Sequence, residues 1–335
     1  MKVGHLRFVL WIFIMGWSCS RQSTPEVHRT FTISGRTMGT SWTIIYFDPR
    51  QRNLRASIDS LLFELNESIN YYDPSSEVSA FNASQNGIEF RSPFLKPALE
   101  KGKEIHESSA GVFDMTVLPL VNAWGFGPGI QKTLSEIQID SILEFTGFEK
   151  VIIDGNKVSK TDPRVQIDFG GIGQGYAVDV IRDFLSLKEI NDYLVELGGE
   201  GYASGSNLEF DRPWQIGILD PNSTQDNQTY RFFVKLEDKS FTTSGNYFNY
   251  RIIDGRKYGH TIDPKRGHPV QTDLLSVTVF SDRCIDADAW ATAFMVMGFE
   301  DTRRYLEADP RMDAILFLGT AGGGHRVHRT PGKTG

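Results

Sequence analysis

The sequence contains almost no cysteine: of its 335 residues, only Cys19 and Cys284 carry a thiol. Two cysteines cannot build a disulfide framework, so the fold must be held by a hydrophobic core. An excess of positive charge is missing as well, since 35 lysines and arginines stand against 42 acidic residues, a formal net charge of −7. This balance argues against a nucleic-acid-binding protein, which normally carries a basic surface.

The signatures of several common enzyme classes are also absent. The sequence has no P-loop spacing, no Gly-x-Ser-x-Gly nucleophile elbow and no metalloprotease histidine pair. Its most glycine-rich stretch, residues 170–175, does not follow the order of the dinucleotide-binding fingerprint. Any catalytic chemistry must therefore come from another arrangement of residues.

Long apolar runs are missing too, and the short run at the N-terminus has the character of an export signal. Lys2 and Arg7 accompany the start of the apolar residues 8–15, and small residues then lead to Cys19. The run is much shorter than the ~20 residues of a membrane span. Small residues before a lone cysteine resemble a bacterial lipoprotein signal, although Trp17 is bulky for its position.

This pattern predicts a lipoprotein-type signal at residues 1–19 and a polar tether at residues 20–33. Cys19 would be the lipidated N-terminus of an exported, periplasm-facing protein that is anchored in the membrane. A plainly cleaved signal and an uncleaved anchor are the alternatives.

The first part of the remaining chain combines hairpins with amphipathic helices. Residues 30–35 and 41–46 predict paired strands, and residues 54–69 and 93–108 predict helices. Residues 71–82 are rich in serine and contain a proline, which predicts a loop.

Strands, hairpins and helices then alternate irregularly to the end of the chain. A hairpin is predicted around Asp154-Gly155, and a helix is predicted at residues 286–298. This order favours an α+β fold with mixed or antiparallel sheets and packed helices. We expect one domain at residues 34–325 and a polar tail at residues 326–335.

The most distinctive stretch is residues 165–179, which predict a strand, a tight turn with four glycines in six residues, and a helix from Ala177. Glycine at this density lets a ligand approach the main chain closely. The N–H groups at the start of a helix also attract phosphate. A tight turn that binds nothing is the alternative.

Three further patterns could carry chemistry. Asp288 and Thr292 are four residues apart on a predicted helix, so both oxygens could reach a hard cation, although Asp288 could instead cap the helix. Asp286 is an alternative ligand or cap. His260, placed in a predicted strand, could act as a base or be structural. Aromatic side chains that could stack on a planar ring or belong to the core are Tyr72, Phe113, Trp124 and Phe126.

Taken in order, these segments resemble the bacterial FAD:protein FMN transferases, the ApbE-type lipoproteins once assigned to thiamine biosynthesis. The resemblance covers roughly residues 34–317. The motifs that carry it are Met38-Gly39-Thr40, Tyr72 with Ser76-Glu77 and Phe81-Asn82, residues 111–127, residues 168–179, Leu197-Gly198-Gly199, Thr243-Ser244-Gly245, residues 260–264, and Ala287-Asp288 with Thr292.

The resemblance implies a T-fold-like catalytic domain that binds FAD with Mg²⁺. It implies transfer of the FMN moiety to a threonine or serine of an acceptor protein, with release of AMP. Acceptors in the family include flavin-bearing subunits of membrane redox complexes. An FAD hydrolase that gives FMN and AMP, and a flavin-storing lipoprotein, are the alternatives.

The resemblance also implies the roles of individual residues. His260 falls at the position of the proposed base. The metal would be held by the main-chain oxygen of Gly173 and by Asp288 and Thr292. The positions that would contact FAD are Met38, Tyr72, Val112, Phe113, Asp114, Asp168, Gly170, Gln174 and Ile262.

Two positions depart from the family's pattern. Many members have Ala-Lys where this chain has Gly173-Gln174, which removes a cationic contact to phosphate. Asn246 stands where an acidic residue is common.

Overall fold

The structure, a computed structural model, describes residues 30–127, 134–224, 227–246, 250–253, 256–320, 322 and 324–331. The predicted signal with Cys19, and residues 20–29 of the predicted tether, lie outside these residues.

The described residues form helices, strands and two short 3-10 helices, at residues Met115–Val117 and Phe148–Lys150. The helices are α1 (Arg55–Ile69), α2 (Glu77–Ala83), α3 (Leu95–Ser108), α4 (Leu118–Ala123), α5 (Glu136–Leu143), α6 (Gly173–Leu187), α7 (Cys284–Met297) and α8 (Phe299–Ala308). The strands are β1 (Thr30–Thr37), β2 (Thr40–Phe47), β3 (Gly87–Glu89), β4 (Val151–Asp154), β5 (Lys157–Lys160), β6 (Tyr193–Leu197), β7 (Glu200–Ser204), β8 (Ser206–Asn207), β9 (Arg212–Leu219), β10 (Tyr230–Leu236), β11 (Lys239–Gly245), β12 (Tyr250–Ile253), β13 (Arg256–Gly259), β14 (Leu274–Ser281), β15 (Asp313–Gly319) and β16 (His325–Arg329).

One large sheet organises the fold. Its strand order is β1-β2-β6-β7-β11-β14-β15-β16, and each neighbouring pair of strands runs antiparallel. Smaller antiparallel sheets have the orders β10-β9-β8, β12-β13 and β3-β5-β4. The predicted α+β class, with antiparallel sheets and packed helices, is confirmed.

The large sheet is covered on both faces, because successive side chains along a strand point to opposite sides. On β14, Val279 belongs to the main core with α1, α6 and α7, whereas the next residue, Phe280, belongs to a second core. This second core is shared with Trp214 of β9 and Val234 of β10, so the small three-stranded sheet covers the face opposite the helices.

The predicted hairpins and amphipathic helices of the first half form as expected. Strand β1 pairs with β2 from Thr30↔Phe47 to Thr37↔Thr40, and β4 pairs with β5 around Asp154-Gly155. The helices predicted at residues 54–69 and 93–108 are α1 and α3. In these segments the apolar period and the turn residues point to the same structure, which is why local patterns suffice.

The stretch before the glycine turn is not a strand, so the prediction for residues 165–168 is wrong. Its alternation is real, since Val165 and Ile167 are buried. A side chain holds the backbone instead: Asn82 Oδ1 accepts the Ile167 N–H over 2.7 Å, and Asn82 Nδ2 donates to the Ile167 oxygen over 3.0 Å. The Asp168 N–H donates to the Met115 oxygen over 2.7 Å. The alternation of apolar residues indicates which side chains are buried. It does not show whether the backbone pairs with another strand or with a side chain.

The loop predicted at residues 71–82 is also partly wrong, because α2 occupies residues 77–83. Ser76 caps this helix by accepting the Ser79 N–H over 3.1 Å, and Val78 and Phe81 are buried. The short helix places Asn82 where it can hold residue 167. The polar composition of the segment concealed a helix that is stabilised mainly by its two buried apolar side chains.

Strand pairing extends beyond both predicted domain boundaries. Strand β1 begins at Thr30, inside the predicted tether, and β16 includes residues 326–329 of the predicted polar tail. Its pairing with β15 runs from Ile315↔Arg329 to Gly319↔His325. None of the side chains of β16 is buried, so this edge strand is as polar in sequence as a tail.

No helix among the described residues combines the length and the apolar character that crossing a membrane requires.

Candidate functional site

Two cavities, of about 460 and about 730 Å³, lie where the β1–β2 turn, the glycine turn, the end of β11 and α7 meet. The lining residues that both cavities share are Tyr71, Tyr72, Gly170, Ser244, His260 and Thr292. The two cavities therefore adjoin each other, and we refer to them together as the cleft.

The structure brings the predicted site residues together in this cleft, although they come from distant parts of the chain. The smaller cavity is lined by Val112, Phe113, Asp114, Asp168 and Ile262, the larger by Met38, Gly173, Gln174 and Asp288, and both by Tyr72, Gly170, His260 and Thr292. Cys19 lies outside the described residues.

Asp288 is held against the first turn of α6. Its Oδ2 accepts the Gly175 N–H over 2.8 Å, and the side chain is 5% exposed. A Cβ on residue 175 would lie 2.6 Å from Asp288 Cβ and 2.4 Å from the Cys284 oxygen, so only glycine allows this approach. Burial raises the pKa of Asp288 to about 7, against the lowering effect of the Gly175 hydrogen bond.

Helix α6 in turn supplies a carboxylate to the start of α7. Asp179, which is fully buried, accepts the N–H groups of Cys284 and Ile285 over 3.0 Å each. Arg283 Nε lies 3.2 Å from the same carboxylate. The first turn of each helix is thus capped by a carboxylate of the other helix, which fixes their relative position.

Thr292 lies on the same face of α7 as Asp288, as the four-residue spacing predicts. A Cβ on residue 171 would lie 3.1 Å from Thr292 Oγ1, so the hydroxyl lies against the glycine turn. Asp286, the alternative considered from the sequence, instead pairs with Lys101 Nζ over 3.0 Å. The helix directs Asp288 and Thr292 to the cleft and Asp286 to α3.

Part of the hydrogen-bonding capacity of the glycine turn is used within the protein. Helix α6 begins at Gly173, earlier than the predicted start at Ala177. The Gly173 N–H donates to the Phe169 oxygen over 2.7 Å, and the Gly175 N–H is taken by Asp288. These two donors are not available to a phosphate.

Sequence reasoning missed Glu200, the first residue of β7. It is 6% exposed, lines the larger cavity together with Asp288, and its Oε2 has no hydrogen-bond partner among the described residues. Burial raises the pKa of this carboxyl, and the charge of Asp288 raises it further. The preceding residues, Leu197-Gly198-Gly199, were recognised as a motif, but only tertiary packing shows that the next side chain turns inward.

A third carboxyl group with a raised pKa, that of Asp168, lies in the smaller cavity. The Gly170 N–H donates to Asp168 Oδ1 over 2.6 Å, which favours the ionised form. Desolvation outweighs this contact and raises the pKa of Asp168 to about 6. The turn therefore presents an acid that changes charge just below neutral pH.

The mouth of the cleft is formed by exposed and conformationally unusual residues. Met38 and Gly39 both have positive φ, 48° and 74°, in the two-residue turn between β1 and β2. This geometry costs a residue other than glycine roughly 1 kcal/mol and directs Met38 towards the larger cavity. Tyr72 is 59% exposed, with its ring centroid 4.2 Å from that of Tyr71.

The aromatic candidates divide between cleft and core. Tyr72, Phe113 and Phe126 line the cleft. Trp124 is a core residue that donates its Nε1–H to the Gly267 oxygen over 2.8 Å. The local sequence around these four aromatic residues does not show which of them line the cleft. Only the contacts between distant parts of the chain do.

Asp114 already has protein partners on both of its oxygens. Oδ1 accepts the Thr116 N–H over 2.7 Å and the Thr116 hydroxyl over 2.6 Å, and Oδ2 accepts the Phe148 N–H over 3.0 Å. His106 Nδ1 lies 3.2 Å from Oδ2, and the resulting ion pair raises the pKa of His106. This network shapes the wall of the smaller cavity.

His260 follows β13 directly and does not lie within a strand, which corrects the prediction of a strand at this position. Its side chain is exposed and lines both cavities. Ile262, two residues further on, is buried and forms an isolated bridge with Pro269. An imidazole at this position can reach a group in the cleft and a group that arrives from solvent.

The cleft offers oxygen ligands that suit a hard cation. No cluster of three or more histidine, cysteine, aspartate or glutamate side chains in the described part of the chain is placed to hold a metal. The predicted ligand set needs no such cluster, because it combines the Asp288 carboxylate, the Thr292 hydroxyl and the Gly173 oxygen. Glu200 lines the same cavity, and its buried Oε2 has no hydrogen-bond partner among the described residues. A buried carboxylate oxygen requires a partner, and a cation bound beside it would supply one.

Comparisons with known proteins agree with each other. The model of the ApbE family matches residues 38–316. The FAD:protein FMN transferase of Vibrio cholerae is 35% identical over 284 residues, covering 83% of this chain and 84% of the relative. That of Haemophilus influenzae is 30% identical and covers 92% of this chain and 91% of the relative.

Solved structures give the same result at the level of the fold. The flavin transferase ApbE from Vibrio cholerae superposes with a TM-score of 0.81 at 32% identity, covering 91% of this chain and 98% of that protein. The apo form of the Pseudomonas stutzeri flavinyl transferase ApbE also gives a TM-score of 0.81 at 32% identity, with coverages of 91% and 95%.

The raised pKa of Asp168 predicts how stability depends on pH. The folded state binds this proton more tightly than the unfolded state, so its contribution to stability is complete below about pH 4 and is lost as the pH rises through about 6. Urea unfolding should show that the wild-type chain loses at most about 3 kcal/mol relative to Asp168→Asn over this range. Asp162→Asn, at a half-buried aspartate outside the cleft whose pKa is lowered by Arg164, should leave the trend in place. Parallel curves for wild type and Asp168→Asn would refute the assignment.

Proposed function

This chain belongs to the ApbE family, and from that premise we propose that it transfers the FMN moiety of FAD to a threonine or serine hydroxyl of an acceptor protein, with release of AMP. The observation that carries the proposal is that Asp288, Thr292 and His260 all line the larger cavity of the cleft. A group suited to bind a cation and a group suited to accept a proton thus line the same space.

The size and lining of the cleft suit a long, amphipathic substrate such as FAD. The smaller cavity has the apolar and aromatic walls that a planar ring requires, including Val112, Phe113 and Phe126. The larger cavity contains the buried carboxylates and the start of α6. We place the pyrophosphate where the cavities meet, near Gly170 and Thr292, because both residues line both cavities.

The reaction is a displacement at the FMN-side phosphorus of FAD. The acceptor hydroxyl oxygen forms a new bond to this phosphorus, the bond to the AMP oxygen breaks, and AMP leaves with the electron pair. His260 takes the hydroxyl proton, since a threonine hydroxyl is a weak nucleophile without a base. Its exposed position lets it meet a hydroxyl presented by another protein.

Mg²⁺ is the cation that we propose for the cleft, with Asp288, Thr292 and the Gly173 oxygen as ligands. When bound, it would neutralise charge on the pyrophosphate and on the departing AMP. The contact of Asp288 with the Gly175 N–H keeps its carboxylate fixed, so that the site is organised before the substrate enters.

We also propose an exported protein that is anchored by lipid at Cys19 and faces the periplasm, with a flavin-bearing subunit of a membrane redox complex as the acceptor. Support comes from the order of basic, apolar and small residues before Cys19. Such an anchor would place the cleft at the surface where a membrane-bound acceptor is found.

Transfer is tested by incubating the full-length chain with FAD, Mg²⁺ and an acceptor fragment that carries a candidate threonine. We expect covalent, fluorescent flavin on the acceptor in a denaturing gel, with one AMP released for each flavin attached. Free FMN without labelled protein would identify a hydrolase, and unchanged bound FAD would identify a storage protein. Either outcome overturns the proposal.

Removal of the central carboxylate should abolish turnover. We expect Asp288→Ala to lose activity at every Mg²⁺ concentration, as the wild-type chain does after treatment with EDTA. The matched control is Asp286→Ala on the same helix, whose carboxylate faces Lys101 and should not be needed. Full activity of Asp288→Ala with unchanged metal dependence would contradict the ligand assignment.

Substitution of the proposed base should separate binding from chemistry. His260→Ala should bind FAD normally in a fluorescence titration but transfer flavin about 10²–10⁴-fold more slowly. His268→Ala is the control, because this nearby histidine pairs with Glu136 over 3.3 Å and does not line the cleft. A large loss of FAD affinity in His260→Ala would instead indicate a binding role.

A further inference from the structure

Glu200 is a buried carboxylate that the proposed reaction does not yet use. It is 6% exposed, and its Oε2 has no hydrogen-bond partner in the described part of the chain. A proton on the carboxyl would not resolve this, since a buried O–H also needs an acceptor. The described residues therefore leave this oxygen without the partner that a buried polar atom requires.

The turn before Glu200 directs this side chain towards the start of α6. Gly198 and Gly199 have φ of 69° and 109°, which makes the connection between β6 and β7 very tight. A Cβ on residue 198 would lie 3.2 Å from Glu200 Oε2 and 3.0 Å from Gln174 Nε2. The carboxylate thus lies beside the residue that precedes Gly175, which binds Asp288.

The two carboxylates lack a protein counter-charge. Glu200 and Asp288 line the same cavity, and no lysine or arginine among the described residues lies within ion-pair distance of either side chain. Two buried carboxylates without a cation are strongly unfavourable. A divalent cation resolves this, because Mg²⁺ is commonly bound by one or two carboxylates together with substrate phosphates.

We propose that Glu200 supplies a second carboxylate to the cation bound at Asp288. The inference rests on the proposed cation site and adds a ligand from β7 to the ligands from α6 and α7. With two negative charges, the protein binds the divalent cation before FAD arrives.

The test uses Mn²⁺ as a spectroscopic probe of the site, with no nucleotide present. Free Mn²⁺ is measured by electron paramagnetic resonance while the full-length chain is titrated at pH 7.5. We expect Glu200→Gln to weaken Mn²⁺ binding by about tenfold or more. Glu196→Gln is the matched control: this carboxylate lies near the same turn, but its Oε1 already accepts the Gly199 N–H over 2.8 Å, so binding should not change.

The outcomes separate this inference from the proposed cation site. If Asp288→Asn abolishes Mn²⁺ binding while Glu200→Gln binds as the wild type does, the role of Glu200 is refuted and the cation site stands. If the wild-type chain does not bind Mn²⁺ without nucleotide, the inference is refuted, and the cation site then depends on the Asp288→Ala assay with FAD present. Equal weakening by Glu196→Gln and Glu200→Gln would show a general charge effect and would also refute the direct ligand.

Thermal unfolding provides a second readout that a merely structural glutamate would not give. Without metal, Glu200→Gln should melt at a temperature no lower than the wild type, because a neutral amide is no more costly to bury than a carboxyl group whose oxygen lacks a partner. With Mg²⁺, the wild type should gain stability and the variant should gain much less. A variant that melts lower without metal and gains as much with Mg²⁺ would overturn the inference.

Discussion

The cleft depends on the contacts by which α6 and α7 each cap the start of the other helix with a carboxylate. Asp288 accepts a hydrogen bond at the start of α6, and Asp179 accepts two at the start of α7. Each helix supplies the cap that the other lacks, so neither can rotate or slide without leaving a buried N–H and a buried carboxylate unpaired. Gly175 allows the contact because its side-chain position is occupied by α7.

Asp288 therefore has both a structural and a proposed ligand-binding role. One of its carboxylate oxygens accepts the hydrogen bond from α6, which fixes the direction in which the other oxygen can bind a ligand. A carboxylate positioned by the fold needs little rearrangement when a ligand binds, and such preorganisation makes electrostatic groups effective. The accessible residues, Tyr72 and His260, lie on loops at the mouth, where an incoming partner can reach them.

Much of the site could be predicted because local periodicity fixes the relevant geometry. Two residues four apart on a helix share a face, so the direction of Asp288 and Thr292 is determined once α7 forms. The hairpins and amphipathic helices follow from the same reasoning. The family resemblance supplied His260 and the flavin positions, which no spacing rule could provide.

The remainder depends on contacts between distant parts of the chain. Residues 165–168 alternate like a strand, yet Asn82 holds them, and a side-chain clamp leaves no local pattern. Glu200 resembles any polar residue at the start of a strand, and its burial results from packing of the β6–β7 turn against α6. The residues of β16 are mostly basic, a composition that predicts a polar tail as readily as an edge strand.

The composition of β16 has a consequence for behaviour at high concentration. The strand closes one end of the large sheet with the sequence His-Arg-Val-His-Arg, and Arg329 lies 3.8 Å from the ring centroid of Phe232. An open sheet edge invites pairing with another chain, and cationic side chains along it repel an identical edge. The β16 edge therefore disfavours pairing with the same edge of a second molecule.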